Sequence, residues 1–529
     1  MSGSDHLVDQ YAVKPKATLS LIIGVSMSVI GASFQYGYNI AVVNAPADEI
    51  KDFYFGNDTV CSTSTTNGTN ARTCVEDTER GNYRDNMYAI AVSAFALAGM
   101  LGSLLVGPVV GKFGRRGGLM VNNIISFVAA LCLGLAKPAN SFPLIIVGRF
   151  FIGVFAGLAT GIVPMYIGEI SPKEWRGAIG VLNQLLITIG ILFAQLLGLE
   201  SMLGTQQMWP YLLAFTCIPS VLQMISIPFM PKSPRFLLID QQKEDEARNV
   251  LVKLRGSDNV VSEMDEMRTE AASQAAEGQM TIIQLFRERS VRWQLITVLL
   301  MMVAQQLSGI NAVFFYSNTI FDAAGIPEGN PQDMASVGVG VVNVLMTIVS
   351  VAVIDRIGRK KLMVWGFGTM IFWCLAMTVV LNLLNVVGGG WISYLSIACV
   401  IGYIIGFAVG PGPIPWLITA ELFRQAARPP AFMVACLLNW TCNFIIGISF
   451  PAVAKLTGPY VFILFMFVCI GITVFLYFVM PETKGKTFQQ ISNLFAKRNK
   501  VPMASEGNGE ESSMKIPLKS MDNNSSQQV

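Results

Sequence analysis

Charge is scarce in this chain: only 13% of its 529 residues are Asp, Glu, Lys or Arg, where a soluble domain carries about 25%. So little charge cannot coat a water-facing globule, which excludes an ordinary soluble enzyme, and a 53% hydrophobic content excludes disorder. Histidine is nearly missing as well. The single one, His6, precedes the first apolar segment, so histidine metal sites, Ser-His triads and histidine proton relays are unavailable to the apolar part. The nine cysteines form no CxxC and no metal-ligand spacing. All but Cys61 and Cys74 lie inside apolar stretches and read as small packing residues, so neither a metal nor a cofactor is expected. Thirty-seven basic residues nearly balance thirty-four acidic ones, and a net charge of +3 does not call for nucleic acid. What remains, at a mean hydropathy of +0.53, is an integral membrane protein in a lipid bilayer.

A spanning helix needs about 20 apolar residues. By that rule twelve spans are expected, near 18–43, 88–111, 118–137, 142–167, 178–200 and 209–230, then 294–318, 334–354, 362–383, 392–420, 429–454 and 459–480. The fold class is therefore all-α: two six-helix bundles, at 18–230 and 293–480, around a charged linker, 231–292, with amphipathic helical spacing near Asp245–Leu254 and Ile282–Phe286. Residues 1–17 form a polar tail without the layout of a cleaved signal peptide. The tail 481–529 turns Ser-, Asn- and Gln-rich and is expected to be disordered after 503. Basic residues crowd the loops Lys112–Arg116, Lys173–Arg176, Arg356–Lys361 and Arg424–Arg428, while the opposite short loops hold almost none. The positive-inside rule then makes both termini and the linker cytoplasmic. The long loop 44–87 faces outside, with N-x-S/T glycosylation sequons at Asn57 and Asn67. It also contains Cys61 and Cys74, as a disulfide or as two free thiols.

The two halves repeat one another. Gly114-Arg115-Arg116 follows the second span and Gly358-Arg359-Lys360 the eighth; Glu169 with Arg176 seven residues on follows the fourth, and Glu421 with Arg428 seven residues on follows the tenth. Positive-inside charge accounts for the arginines but not for a glutamate at the same offset twice. Salt bridges between helix ends account for both, and they make Arg115, Glu169, Arg176, Arg359, Glu421 and Arg428 a candidate gate. Parallel repeats about a midplane site are the layout of major facilitator transporters.

Within the spans, ionisable residues are almost absent; Arg149 is the chief exception, expected to snorkel or to pin a neighbouring helix. Amides stand in their place: Gln35, Asn39, Gln184, Gln195, Gln305, Gln306, Asn311, Asn343, Asn439 and Asn443, with Trp416 beside them. A lone buried amide is usually helix–helix glue. So many in both halves point to a shared neutral cavity, in which amides match sugar hydroxyls and an indole covers the sugar's C–H face. Gly410-Pro411-Gly412-Pro413-Ile414-Pro415 and Ser308-Gly309 are expected to break their helices. No carboxylate dyad or metal cluster is visible in the spans, so an enzyme is not expected.

Gly148-Arg149, Pro164 to Glu169, Pro231 to Arg235, Gln305 to Asn311, Gly410 to Trp416 and Pro481 to Thr487 together resemble the facilitative hexose transporters of the sugar porter family. The resemblance covers residues 18 to 500, and Lys232 departs from the glutamate usual at its place. Ser33 to Asn39 and the Phe488–Lys500 tail look like the fructose-preferring branch, whereas Trp416 and Asn439 look like the glucose-preferring one. The resemblance implies a plasma-membrane uniporter of glucose, fructose or both, working by alternating access, with a proton-coupled symporter or a non-transporting sugar sensor as alternatives. It implies hexose contacts at Gln184, Gln305, Gln306, Asn311, Asn343, Trp416 and Asn439, to which the amide pattern adds Gln35. Proton-coupled members of the family commonly carry Asp where this chain has Asn39.

Overall fold

A chain entering lipid must satisfy every backbone polar group internally, and a helix does so within a single segment. The computed structural model describes residues 16–500, apart from 56–58, 67–68, 77, 278–279, 328–329, 388–389, 424–425 and 487. Ten of its helices are long and apolar enough to cross a membrane. Two of these, Gly81–Leu135 with 55 residues and Arg428–Val479 with 52, are each more than twice the roughly 20 residues one crossing needs. Each is interrupted by a glycine at positive φ, Gly114 (φ 71) and Gly458 (φ 54). Counting each as two gives twelve crossings, the number expected.

The first half runs α1 (Leu19–Ala41), α2 (Ala47–Phe55), α3 (Thr78–Leu135, two crossings), α4 (Phe142–Ile170), α5 (Arg176–Leu197) and α6 (Trp209–Phe229). The linker carries α7 (Glu244–Arg255), α8 (Val261–Glu277) and α9 (Ile282–Arg287). The second half runs α10 (Arg292–Leu307), α11 (Ile310–Ala323), α12 (Asn330–Ile357), α13 (Arg359–Val387), α14 (Gly390–Val409), α15 (Ile414–Leu422), α16 (Arg428–Thr457) and α17 (Val461–Val479). The seventh span is α10 plus α11, broken at Gly309 (φ 95); the tenth is α14 plus α15, broken at the Gly-Pro cluster. Both breaks fall where the sequence places them. One element departs from the all-helical expectation: the loop between the first two spans holds an antiparallel hairpin, β1 (Thr59–Thr66) with β2 (Thr69–Glu76). The sequons Asn57 and Asn67 lie outside the described residues, as do His6 and the tail after 500.

In the linker, α7 has Glu244, Asp245 and Glu246 in its first turn and Lys253 and Arg255 in its last, the order that complements a helix dipole. It buries Ala247 and Leu251 against Leu237, Leu238, Val260 and Met264, a small core separate from the membrane bundles. The Arg255 guanidinium donates to the Ile170 carbonyl at 2.8 Å, fastening the linker to the end of α4. The tail is not wholly irregular: α18 (Phe488–Asn499) docks at the start of α10, where Asn499 Oδ1 accepts from the Trp293 amide at 3.0 Å and Nδ2 donates to the Ser290 carbonyl at 2.6 Å. Across the bundle interface Trp440 of α16 packs against Tyr36 of α1 and Phe95 of α3, with ring centroids 5.6 and 5.7 Å away. Leu131, Phe372, Phe467 and Tyr477 remain exposed on the outer faces, as a lipid-facing surface requires.

Candidate substrate path and gates

The helix breaks expose main-chain carbonyls, and a buried carbonyl needs a donor. Gln305 supplies one: its Nε2 donates to the carbonyls of Pro411 and Gly412, both at 2.8 Å. Its Oε1 accepts from Asn439 Nδ2 at 2.7 Å, Asn439 Oδ1 accepts from Gln306 Nε2 at 3.1 Å, and Gln306 Oε1 accepts from Asn311 Nδ2. Four amides from α10, α11 and α16 thus form one polarised chain ending at the kink of the tenth span. Trp416 is half-buried in the first turn of α15, directly beyond that kink. Each amide both donates and accepts, so the chain can exchange any of these bonds for a hydroxyl without leaving a group unpaired.

The other amides are used differently. Gln35 is fully buried: its Nε2 donates to Ser126 Oγ and to the hydroxyl and carbonyl of Thr216, and its Oε1 accepts from Ser220 Oγ at 3.1 Å. Both ends of its amide are bonded inside the first bundle. Gln184 is half-buried on α5, and Asn343 is buried on α12. Gln195 of α5 points at Gly340 of α12, where even a Cβ would stand 2.0 Å from its Oε1. Arg149 does not snorkel. It is 1% exposed, its Nη1 donates to the Asn39 carbonyl at 2.8 Å, and its guanidinium lies 4.5 Å from the Phe95 ring centroid.

The basic turns pair as a pseudo-symmetric couple. Gly114 (φ 71) and Gly358 (φ 99) take left-handed conformations that open the turns. Arg115 then binds Glu169 at 2.8 Å and Arg359 binds Glu421 at 3.1 Å. In each half the arginine on the glutamate comes from the basic turn rather than from the position seven residues on. Arg176 is exposed at the start of α5, and Arg428 donates to the Phe423 carbonyl at 3.4 Å. A hydroxyl completes each cluster. Ser233 Oγ donates to Glu169 Oε2, and Thr483 Oγ1 donates to Glu421 Oε2 at 2.6 Å. These hydroxyls were missed from the sequence, although a signal was present: each stands two residues after the proline that ends its bundle, Pro231 and Pro481. Glu482 adds a cap for α13, accepting from the amides of Arg359 and Lys360 at 2.9 and 3.1 Å. Lys232, the departure from the family pattern, donates to Glu246 at 3.1 Å; that hydrogen bond, with the charges of Lys232 and Lys243, holds the Glu246 carboxyl below the usual range.

At the ends away from the basic turns the bundles are joined. Asn44, just after α1, donates from Nδ2 to Ser317 Oγ at 2.7 Å and to Asn318 Oδ1 at 3.1 Å. Lys455 reaches Asn82 at 2.5 Å.

The family described as "Sugar (and other) transporter" matches residues 25–495, and the chain belongs to it. The cattle protein "Solute carrier family 2, facilitated glucose transporter member 5" is 43% identical over 487 residues, 92% of this chain and 94% of that one. The chicken member 1 is 43% identical over 480 residues, 91% and 94% of the two chains. The fold is shared with the xylose transporter XylE from E. coli: a partially occluded inward-open structure superposes with a TM-score of 0.71 at 21% identity, covering 88% of this chain and 99% of that one.

Proposed function

We propose that this chain moves hexoses, glucose and fructose both, down their gradient across the plasma membrane by alternating access. The observation that carries this is the neutral amide chain Asn311–Gln306–Asn439–Gln305, tied to the kink that holds Trp416. An anionic substrate would call for Arg or Lys in that chain and a cationic one for Asp or Glu; neutral amides suit hydroxyls. The relatives named as facilitated glucose transporters support the same reading. Gln184 and Asn343 join the amide chain as hexose contacts when the bundles rock together. Arg115–Glu169–Ser233 and Arg359–Glu421–Thr483 form the inner gate, each cluster fastening the helix ends of one bundle. Both tails and the linker are cytoplasmic, and glycans occupy Asn57 and Asn67 outside. Uptake of radiolabelled glucose and fructose into proteoliposomes tests this. Saturable uptake that stops at the external concentration supports it; no flux despite hexose binding would mean a sensor instead.

A further inference from the structure

We infer that the cavity beside the first basic turn binds the phosphate of an anionic phospholipid, held by Arg116 and Lys232. The cavity, of about 230 Å³, opens between the turn that follows the second span and the segment that follows α6. Arg115, Arg116 and Lys232 line it, and no carboxylate of the described residues does. Arg115 is already engaged, by Glu169 at 2.8 Å and by Asp240 at 3.2 Å. Arg116 is not. Among the described residues its half-buried guanidinium meets no carboxylate, and its Nη1 donates to the Met230 carbonyl at 3.0 Å. Its other donors remain for a phosphate, an anion that the guanidinium fork fits. Lys232 donates to Glu246 at 3.1 Å, but both side chains are about half exposed, and Lys243 stands 3.5 Å from the same carboxylate. Such solvated pairs are weak, and Glu246 keeps Lys243 when Lys232 turns to the cavity. The glutamate usual at this place in the family would put a carboxylate in the wall; lysine puts a third cation there.

A phosphate can reach the cavity on a lipid or free in solution, and the remaining walls favour the lipid. Phe113, Met120 and Ile227 line the cavity together with the cations, and Phe113 and Met120 are exposed. Ile225 and Phe229, on the last turns of α6, are exposed as well. The apolar wall therefore runs on from the cavity along the surface of a spanning helix, where acyl chains lie. Lysine and arginine at the ends of spans stand at headgroup level and attract anionic lipid. A phospholipid matches both parts of the site at once: its phosphate meets Arg116 and Lys232, and its chains cover Phe113, Met120 and the end of α6. A soluble phosphate would satisfy the cations and leave the apolar wall against water.

Native mass spectrometry of the purified full chain, titrated with phosphatidic acid or with phosphatidylcholine, tests this. The parent should keep phosphatidic acid under conditions that strip phosphatidylcholine. Arg116→Gln and Lys232→Glu should each weaken the binding of phosphatidic acid several-fold, whereas Arg176→Gln, which removes the same charge from another basic loop, should leave it unchanged. Equal weakening by all three overturns the site in favour of diffuse attraction to basic loops. Displacement of the lipid by inorganic phosphate as readily as by a second phosphatidic acid keeps an anion site but overturns the lipid as its occupant. Should the variants not fold, the parent decides alone. In nanodiscs, phosphatidic acid carrying a diazirine on its acyl chain should crosslink to the peptides that contain Phe113, Met120 and Ile227; crosslinks confined to other spans overturn the assignment. Binding is read without sugar, so it stands or falls independently of hexose transport.

Discussion

Arg149 Nη1 donates to the main-chain carbonyl of Asn39 at 2.8 Å, while Asn39 Oδ1 has no hydrogen-bond partner among the described residues. The fourth span is thereby pinned to the first by a charge whose neighbour is an amide. An amide does not titrate near neutral pH and so cannot carry a proton across. Hexose uptake should therefore be nearly flat from about pH 6 to 8, and an inward proton gradient should not drive accumulation. Asn39→Asp would place a carboxylate beside Arg149, and uptake should become pH-dependent. Accumulation by the parent that an uncoupler collapses would overturn uniport.

The two arginine–glutamate clusters predict unequal effects within one set of arginines. Arg115–Glu169 is largely buried, with side chains 13% and 10% exposed, so its loss costs more than that of a solvated pair, worth about 0–1 kcal/mol. Arg115→Gln, Glu169→Gln and Glu421→Gln should lower transport several-fold while surface expression persists. Arg176→Gln should transport like the parent. Rates measured over a range of salt check this, and an Arg176→Gln defect as large as that of Arg115→Gln would refute the assigned partners.

The proposed function gives Trp416 and the amide chain unequal parts in carrying the two sugars. The indole favours a ring face rich in C–H, as in glucopyranose. Replacing one such contact changes discrimination by about 1–3 kcal/mol. Trp416→Ala should therefore impair glucose uptake more than fructose uptake, which relies chiefly on Gln184, Gln306 and Asn311. Competition assays on the purified protein decide; equal losses for both sugars count against a dual carrier.

Gln35 and Gln305 carry contrasting expectations, one for the packing of the first bundle and one for the proposed hexose contacts. Gln35→Ala strands buried partners on Ser126, Thr216 and Ser220, at about 1–3 kcal/mol for each group left unpaired. It should lower the melting temperature and leave the KM of the surviving protein unchanged. Gln305→Ala should raise the KM. Thermal denaturation and uptake kinetics on the same preparations distinguish the two.

Twelve crossings and both helix breaks were legible in the chain because lipid imposes a local rule. Backbone groups must be satisfied within each segment, so apolar length marks a helix and a Gly-Pro cluster or Ser308-Gly309 marks a break. The repeated turns and glutamates were legible for a similar reason, since matching helix ends carry matching residues. Their partners were not. Glu169 binds Arg115, 54 residues away, and Glu421 binds Arg359, 62 away, because the packing of neighbouring helices, not spacing along one helix, decides which ends meet. Gln35 and Gln305 look alike as amides in apolar helices. Only the tertiary structure committed one to Ser126, Thr216 and Ser220 and aimed the other at the carbonyls of Pro411 and Gly412, since a buried amide takes whichever unsatisfied groups the neighbouring helices bring to it.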